Sequence, residues 1–544
     1  MKIIKLFAIL LAICMFFTSC ANGDPSTCTH EFGDWKITQK PDCYNTGEKV
    51  HKCKKCGTKE TAVAEITHDE EVIAEGKAPT CNEGGYTEIK ACKKCYKTTQ
   101  NKSLIPALGH DFDVTPLEQS TLTKHGTEHR RCKLCGYEEE GKAELIKPEW
   151  INIPTVFVDG DIDGISKTKE KSIQAKFIYG DRVEESIATL KIQGNSSAGF
   201  EKKNYTIKFY KDAAHEKKNN IDFGWGKQHK YCLKANYVDY THARNLVSCN
   251  IYTEIVKTRK NLDPNIAALP TYGMVDGFPI MLYINGEFHG LYTFNIPKDN
   301  WLYGMKTDQS KKQALLCADQ WYGGSVDFSG LIDEKLTGWD LEHCSTTDTT
   351  WVRNSFNRLI EFVKNNDGEA FRQGIGEYMD VNSVIDALIY TYAMDAVDNT
   401  SKNINYVTYD GKKWIVSLYD LDATWGLYWD GTKVEENGRT LPYISNNGTI
   451  RFQHSNNLYK KVFLNFRSEI KARYKELRAA VLTPENIRLQ FELFGSAIPE
   501  MVREADDETW PHLPGKSNNN INQITGFATK QLTMLDEIIY NPKY

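Results

Sequence analysis

The stretch Asp395-Ala-Val-Asp398-Asn-Thr-Ser-Lys-Asn403-Ile-Asn-Tyr-Val-Thr-Tyr-Asp-Gly-Lys-Lys-Trp-Ile-Val-Ser-Leu-Tyr-Asp420-Leu-Asp422 decides how the C-terminal part of this chain is read. Ile404 to Tyr409 and Lys412 to Tyr419 are rich in aromatic and β-branched residues, and Asp410-Gly411 between them suits a two-residue primed turn. Such a turn predicts pairing of 409 with 412, 407 with 414 and 405 with 416. Antiparallel geometry brings the residues before the first strand beside those after the second. Asp398, Asn403 and Asp420 are therefore expected to converge at the open end of one ribbon, with Asp422 close by.

Two carboxylates and an amide meeting in this way can hold a divalent cation through hard oxygen ligands. An acidic group left off the metal can orient a hydroxyl or accept its proton. Protein kinases use this order: an Asp, an Asn five residues on, and a metal-binding Asp after a short hairpin. The plain alternative is a solvated loop capping a hairpin, since Asp-x-x-x-x-Asn arises often by chance.

The 544 residues exceed one ordinary core, so two or three domains are expected. Hydrophobic content of 40% and charged content of 26% suit a globular protein, and a net charge of −5 gives no reason to expect a nucleic-acid partner. Eleven of the 15 cysteines precede residue 136, which marks a domain boundary. Lys2 and Lys5 precede an apolar run, Leu6 to Phe17, too short to span a bilayer and laid out as a secretory signal. Thr18-Ser19-Cys20 resembles a bacterial lipoprotein cleavage site. Cys20 then becomes an acylated membrane anchor at the cell surface; an ordinary signal peptide cut nearby is the alternative.

A Cys/His repeat follows, over residues 28–147. The first copy (28–66) carries His30, Cys43 and Cys53-x-x-Cys56, and the second (67–108) carries His68, Cys81 and Cys92-x-x-Cys95. The third (109–147) keeps His110 and Cys132-x-x-Cys135, with Thr123 where the lone Cys is expected and His125 or His129 as replacements. One His and three Cys per module match a tetrahedral, zinc-ribbon-like structural site. Disulfides are the competing staple in an exported protein. Cys28 is left over.

From about residue 151 to the end, strands come first: Val156 to Val158, Ser172 to Tyr179, Ile187 to Gln193, Lys230 to Tyr237, and a hairpin of Phe278 to Ile284 and Glu287 to Phe294 around Asn285-Gly286. Gly194-Asn195-Ser196-Ser197 forms a turn whose backbone N–H groups can meet phosphate, with Lys202 and Lys203 following. Lys234 in a strand and Glu254 on a following helix (Thr241 to Lys257) form a candidate phosphate-binding pair. Long periodic segments come later: Trp351 to Asn365, Val381 to Ala393, Asn457 to Val481, Pro484 to Glu504 and Ile521 to Tyr540. This order predicts an α+β, two-lobed domain.

Five segments carry a resemblance over roughly residues 151–540. They are Ile192-Gln-Gly-Asn-Ser-Ser197 with Lys202-Lys203, Leu233-Lys-Ala-Asn-Tyr-Val-Asp239 leading to Arg244-Asn245, Asn285-Gly-Glu-Phe-His-Gly-Leu-Tyr292, Asp398 to Asn403, and Tyr419-Asp-Leu-Asp-Ala-Thr-Trp-Gly426. In this order they resemble the CotH kinase family, atypical kinases named after a spore coat protein. The resemblance implies a reduced protein-kinase-like fold that transfers phosphate from ATP to serine of protein substrates, with Mg²⁺ or Mn²⁺. By carry-over Asp398 is the catalytic aspartate, Asp420 the main metal ligand and Asn403 the second. Asp422 shares the face of Asp420. Gly194 to Ser197 cover the ATP phosphates, helped by Lys203 or Lys234. The expected protein is an exported, membrane-anchored kinase acting on secreted or surface proteins. A non-catalytic adhesion or scaffold protein and, more remotely, a metal-dependent hydrolase are the alternatives.

Overall fold

The computed structural model describes residues 28–320, 324–434, 443–444, 450–451, 456–516 and 519–541, so the expected leader and Cys20 lie outside the described residues. Among the described residues no helix is long and apolar enough to cross a membrane. The chain divides into two units: Met1–Glu118 with Thr127–Lys142, and Gln119–Gly126 with Ala143–Tyr544.

The first unit repeats one device three times. Three short antiparallel strands form each module: Lys36–Gln39, Gly47–Lys52 and Lys59–Ala64; Glu70–Ala74, Ile89–Cys92 and Thr98–Gln100; Phe112–Glu118, Thr127–Cys132 and Glu138–Lys142. The Cys-x-x-Cys sits where the middle strand turns into the third. Its turn is closed by a backbone N–H four residues on, from Gly57, Tyr96 or Gly136 to the first cysteine's carbonyl. All three of those residues are left-handed, which costs glycine nothing and Tyr96 a little.

In the second unit, alternation of apolar and polar residues builds a barrel. On Lys171–Tyr179 the side chains of Ile173, Ala175 and Phe177 are buried while Gln174 is exposed. The barrel strands are β1 (Thr155–Asp159), β2 (Lys171–Tyr179), β3 (Arg182–Gln193), β4 (Asn204–Tyr210), β5 (Lys230–Lys234), β6 (Gly277–Ile284) and β7 (Glu287–Asn295). They close in the order β1-β2-β3-β4-β5-β7-β6, with β6 returning parallel to β1, so no edge is left unpaired. Rings of Phe177, Phe223, Tyr231 and Phe294 fill one end, with centroids 4.6–5.1 Å apart for the closest pairs.

Helix α1 (Arg244–Lys257) follows β5, and a four-stranded sheet is built from β8 (Ala314–Ala318), β9 (Trp339–Cys344), β10 (Ile404–Thr408) and β11 (Ile415–Leu418), in the order β9-β8-β10-β11. Around it lie α2 (Thr350–Asn365), α3 (Val381–Ala393), α4 (Asn457–Asn465), α5 (Arg467–Arg478), α6 (Pro484–Ser496), α7 (Glu500–Thr509) and α8 (Ile521–Tyr540). The strands and helices expected from sequence are here, with three corrections. Asn457 to Val481 is two helices, because Arg372 takes the Asn465 carbonyl that would continue the ladder. Pro484 to Glu504 breaks before Pro499, which can start a helix but not continue one. The β10–β11 register is one residue off the expected one: 404 pairs with 418 and 407 with 415. The Asp410 carboxylate caps the N–H groups of Lys412 and Lys413 at 2.8 and 2.9 Å, which lengthens the loop and replaces the two-residue turn.

Helix α7 is fastened to the barrel by a buried ion pair. Lys202 and Asp506 lie 2.7 Å apart, both almost wholly buried, and Asp506 also accepts the Leu291 N–H at 2.8 Å and faces His242 at 3.3 Å. Burial alone would raise the Asp506 pKa, but Lys202 and His242 hold it well below the usual carboxylate range. Its stabilisation is therefore present above about pH 4 and lost as the solution is acidified. Asp506→Ala leaves Lys202 buried without a counter-charge and is expected to cost about 3–5 kcal/mol in urea-induced unfolding. A loss below about 1 kcal/mol would mean the pair does not hold α7 to the barrel.

Candidate functional site

The mouth of the β10–β11 hairpin is held shut by one amide. Asn399 Nδ2 donates to the carbonyls of Asn403 and Tyr419 at 3.0 and 2.9 Å, and the Tyr419 N–H donates to Asn403 at 3.1 Å. Asp398 opens a single turn of 3-10 helix, Asp398–Thr400, and its carboxylate lies 3.4 Å from Lys402 Nζ. Asn403 and Asp420 both adopt left-handed backbone, with φ of 55° and 56°. Asn and Asp tolerate that region best, yet the two kinks side by side are costly unless the surroundings enforce them. After the second kink the Leu421 N–H is caught by Asn245 Oδ1 of α1 at 3.0 Å.

Asn245, Asp398, Lys402, Asn403, Tyr419 and Asp420 line one cavity of about 740 Å³, with lysines gathered on one side and carboxylates on the other. The barrel side offers Lys167, Lys191, Lys208, Lys230 and Lys234 together with the turn Gly194 to Ser197; the other side offers Asp319, Asp340, Glu342, Asp398, Asp420 and Asp422, with Asn403. Gly194 is required at its turn. Its φ is +110°, and a Cβ there would lie 2.0 Å from Ser197 Oγ. Lys167 donates to Asn195 and Asn204 to Ser197, at 3.2 Å each, which fixes the turn against the barrel.

Two expected roles are corrected. Lys203 is not on the cavity wall: its ammonium bonds the carbonyls of Ala198 and Phe200 and shapes the turn from behind. Lys202, which does reach the wall, is neutralised by Asp506. Glu254 does not meet Lys234, because it pairs with Lys257 at 2.7 Å on the exposed face of α1. Asn245, more than two turns earlier, is the α1 residue that reaches the site. Among the described residues the cavity lining does hold ion pairs, Glu342 of β9 with Lys298 at 2.9 Å and Asp398 with Lys402 at 3.4 Å.

The carboxylates repel one another. The Asp422 pKa is raised to about 8, first by burial and then by the charge of Asp420, with Lys234 opposing and Asp398 adding to the rise. Asp422, a buried carboxyl beside Asp420 whose ionisation a nearby positive charge favours, fits a site that receives a divalent cation. Among the described residues, the carboxylates do not form a threefold cluster with oxygens all within 4.8 Å. Asp420, Asn403 and the phosphate oxygens of a nucleotide would complete a site without one.

A model of the family described as CotH kinase protein matches residues 190–535. The chain belongs to the CotH kinase family. No curated protein matches it. The CotH match spans the cavity-lining residues from Lys191 to Trp429, so both charged walls except Lys167 belong to the family domain.

Cysteine and histidine converge at three places in the first unit, in a grouping that differs from the expected one. Cys28, His30, Cys53 and Cys56 form one group; Cys43, His68, Cys92 and Cys95 the second; Cys81, His110, Cys132 and Cys135 the third. Cys43 and Cys81 thus serve the module after their own, and Cys28 is a full member. His125 and His129 belong to none: His125 bonds the Ala143 carbonyl at 2.8 Å, and His129 faces Glu138. Sequence reasoning also passed over Asn399 and Lys298. Asn399 sat in the stretch read first, but a side chain that bridges two backbone carbonyls leaves no spacing signal.

The metal-free protein carries a pH signature. Because the folded-state pKa of Asp422 lies above its unfolded value of about 3.9, the protonated carboxyl stabilises the fold at low pH, and that contribution fades as pH rises through about 8. Between about pH 4 and 8 the unaltered chain is expected to lose thermal stability relative to Asp422→Asn, and to lose little more above that, measured by calorimetry in chelator. Parallel curves across that range would rule out a proton held at this position.

Proposed function

We propose that the chain is an exported, membrane-anchored atypical protein kinase that transfers the γ-phosphate of ATP to serine or threonine of secreted or surface proteins. The observation that carries this reading is the single cavity with a lysine wall, a carboxylate wall and the Gly194 turn at its rim. Phosphoryl transfer asks a protein for little beyond placement and charge compensation. Lysines on the barrel side suit a triphosphate, and oxygen donors opposite suit its metal. We read barrel and helical part as the two lobes of a reduced kinase fold.

In this reading Lys234 and the backbone of Gly194 to Ser197 hold the phosphates. Asp398 accepts the proton of the acceptor hydroxyl while that oxygen bonds to the γ-phosphorus and ADP leaves. Lys402, beside Asp398, keeps the carboxylate oriented. Asp420 and Asn403 would hold Mg²⁺ or Mn²⁺, with Asp422 shared or supporting; when bound, the cation offsets charge on the β- and γ-phosphates. Export and anchoring rest on the Lys2 to Cys20 segment, read from sequence.

Incubation of the full chain with γ-labelled ATP and Mn²⁺ is expected to give labelled phosphoserine or phosphothreonine. Asp398→Ala should lower the rate by at least about 100-fold while leaving nucleotide binding intact. Asp420→Ala should abolish both transfer and the thermal shift with ATP and metal. No label and no thermal shift from the unaltered protein would favour a kinase-like scaffold without turnover; free phosphate without phosphoprotein would favour a hydrolase.

A further inference from the structure

Each Cys/His group in the first unit is assembled from two successive segments. The backbone shows how. The N–H of Thr67 bonds the Asp42 carbonyl at 3.3 Å, and the N–H of Leu108 bonds the Thr80 carbonyl at 2.9 Å. The loop carrying Cys43 or Cys81 is thereby held beside the chain that brings in the next histidine, His68 or His110. A second repeated bond ties that histidine to its own Cys-x-x-Cys turn: Lys54, Lys93 and Lys133 donate to the carbonyls of Glu31, Asp69 and Asp111 at 2.8 to 2.9 Å. The segments carrying His68 and His110 are thus held from both sides, and their four ligand atoms meet at the joint between modules.

The spacings are those of ligands around a shared ion. Sγ–Sγ separations are 4.0 Å for Cys28 and Cys53, 3.3 Å for Cys43 and Cys92, and 3.8 Å for Cys81 and Cys132. Sγ–Nδ1 separations are 3.2 to 3.4 Å for Cys56 with His30, Cys95 with His68 and Cys135 with His110. A tetrahedral zinc with Zn–S bonds of about 2.3 Å puts its sulfurs about 3.8 Å apart, whereas a disulfide needs about 2.05 Å.

The ends of the array support the same arrangement. A ligand handed forward leaves the first site short of a cysteine from the segment before it, and Cys28 supplies one. It also leaves the last loop with no site to serve. That loop keeps the turn of its predecessors: Asp42 N–H to Asn45, Thr80 N–H to Glu83 and Thr121 N–H to Lys124. By this alignment Leu122, not Thr123, stands where Cys43 and Cys81 stand. Gln119–Gly126 belongs to the second unit, where Leu122 is 2% exposed in an apolar cluster with Met281, Leu291 and Val502. A cysteine position becomes a leucine where the loop belongs to an apolar cluster of the second unit instead of a Cys/His group.

We propose that the three groups are zinc sites at the joints of the array, each closed by a cysteine from the preceding segment, so that metal couples the modules into one stiff spacer. Zinc would then act between modules, not only inside them. Small modules that bury little gain rigidity this way without a larger core.

Elemental analysis of the full chain, purified with reductant, is expected to give three zinc per chain, and Cys28→Ser two. In a Cys53→Ser/Cys56→Ser background, which removes the first site, adding Cys43→Ser should lower zinc from two equivalents to one. Cobalt substitution reads the same loss through thiolate charge-transfer absorbance, and so serves if a variant is poorly soluble. Three equivalents retained in Cys28→Ser, or no further loss on adding Cys43→Ser, would overturn the handed-forward arrangement. A chain without zinc whose cysteines are oxidised in pairs by mass would overturn the metal sites altogether.

Discussion

One buried guanidinium holds the acidic side of the cavity in the CotH domain in shape. Arg244, at the start of α1, is fully buried. It reaches the Asp239 carboxylate at 2.5 Å, the Thr424 carbonyl at 3.0 Å, Gln523 at 2.6 Å and Asn519. A charge so placed is tolerable only with its partners assembled, since an unpaired buried ion costs several kcal/mol. Folding of the Asp239 loop, of the Asp420 to Trp425 segment and of α8 is thereby made mutually dependent. The segment needs that support. It is bracketed by left-handed residues at Asp420 and Trp425, and a bulky aromatic at positive φ persists only where its surroundings over-determine it. Trp425 is pinned by its indole to Ser248 and by its backbone to Met394.

Most of this organisation is legible in the chain wherever local chemistry and tertiary need agree. The strand residues 404–408 and 415–418 are β-branched, aromatic and apolar, and they fold as strands buried on both faces. Convergence of Asp398, Asn403 and Asp420 follows from strand direction alone, which is why it survives an error in register. The register itself depended on one carboxylate, Asp410, choosing backbone N–H groups over solvent. Lys203 and Glu254 failed for a different reason. Which way a charge points is set by the face it occupies, and neighbouring residues on a turn or helix occupy different faces. Asn245 and Glu254 lie on one helix, yet only the former faces the site.

The cysteine array was misgrouped because a regular repeat is ambiguous by construction. When every module carries the same ligands at the same spacing, assigning a cysteine to its own module or to the next fits the interior equally well. Only the ends distinguish the two, through a surplus at the start and a deficit at the finish. Cys28 and the cysteine-free third loop were both visible in the sequence, and each looked like an isolated irregularity. They are one displacement seen at its two ends.

The two cavity walls are built in different ways. Lys191, Lys208, Lys230 and Lys234 stand on paired strands of a closed sheet, whose spacing is fixed by hydrogen bonds on both flanks. On the opposite wall residues 398, 403 and 420 come to one cavity without regular structure. The chain uses a helical turn, two left-handed kinks and the Asn399 clamp instead. Irregular backbone of this kind is unstable by itself, and burial of a carboxyl beside like charges makes it more so, the two causes that raise the pKa of Asp422. Its shape has to be imposed from outside, by Asn245 at Leu421 and Arg244 at Thr424. The first turn of α1 therefore acts as the jig in which the acidic wall is set.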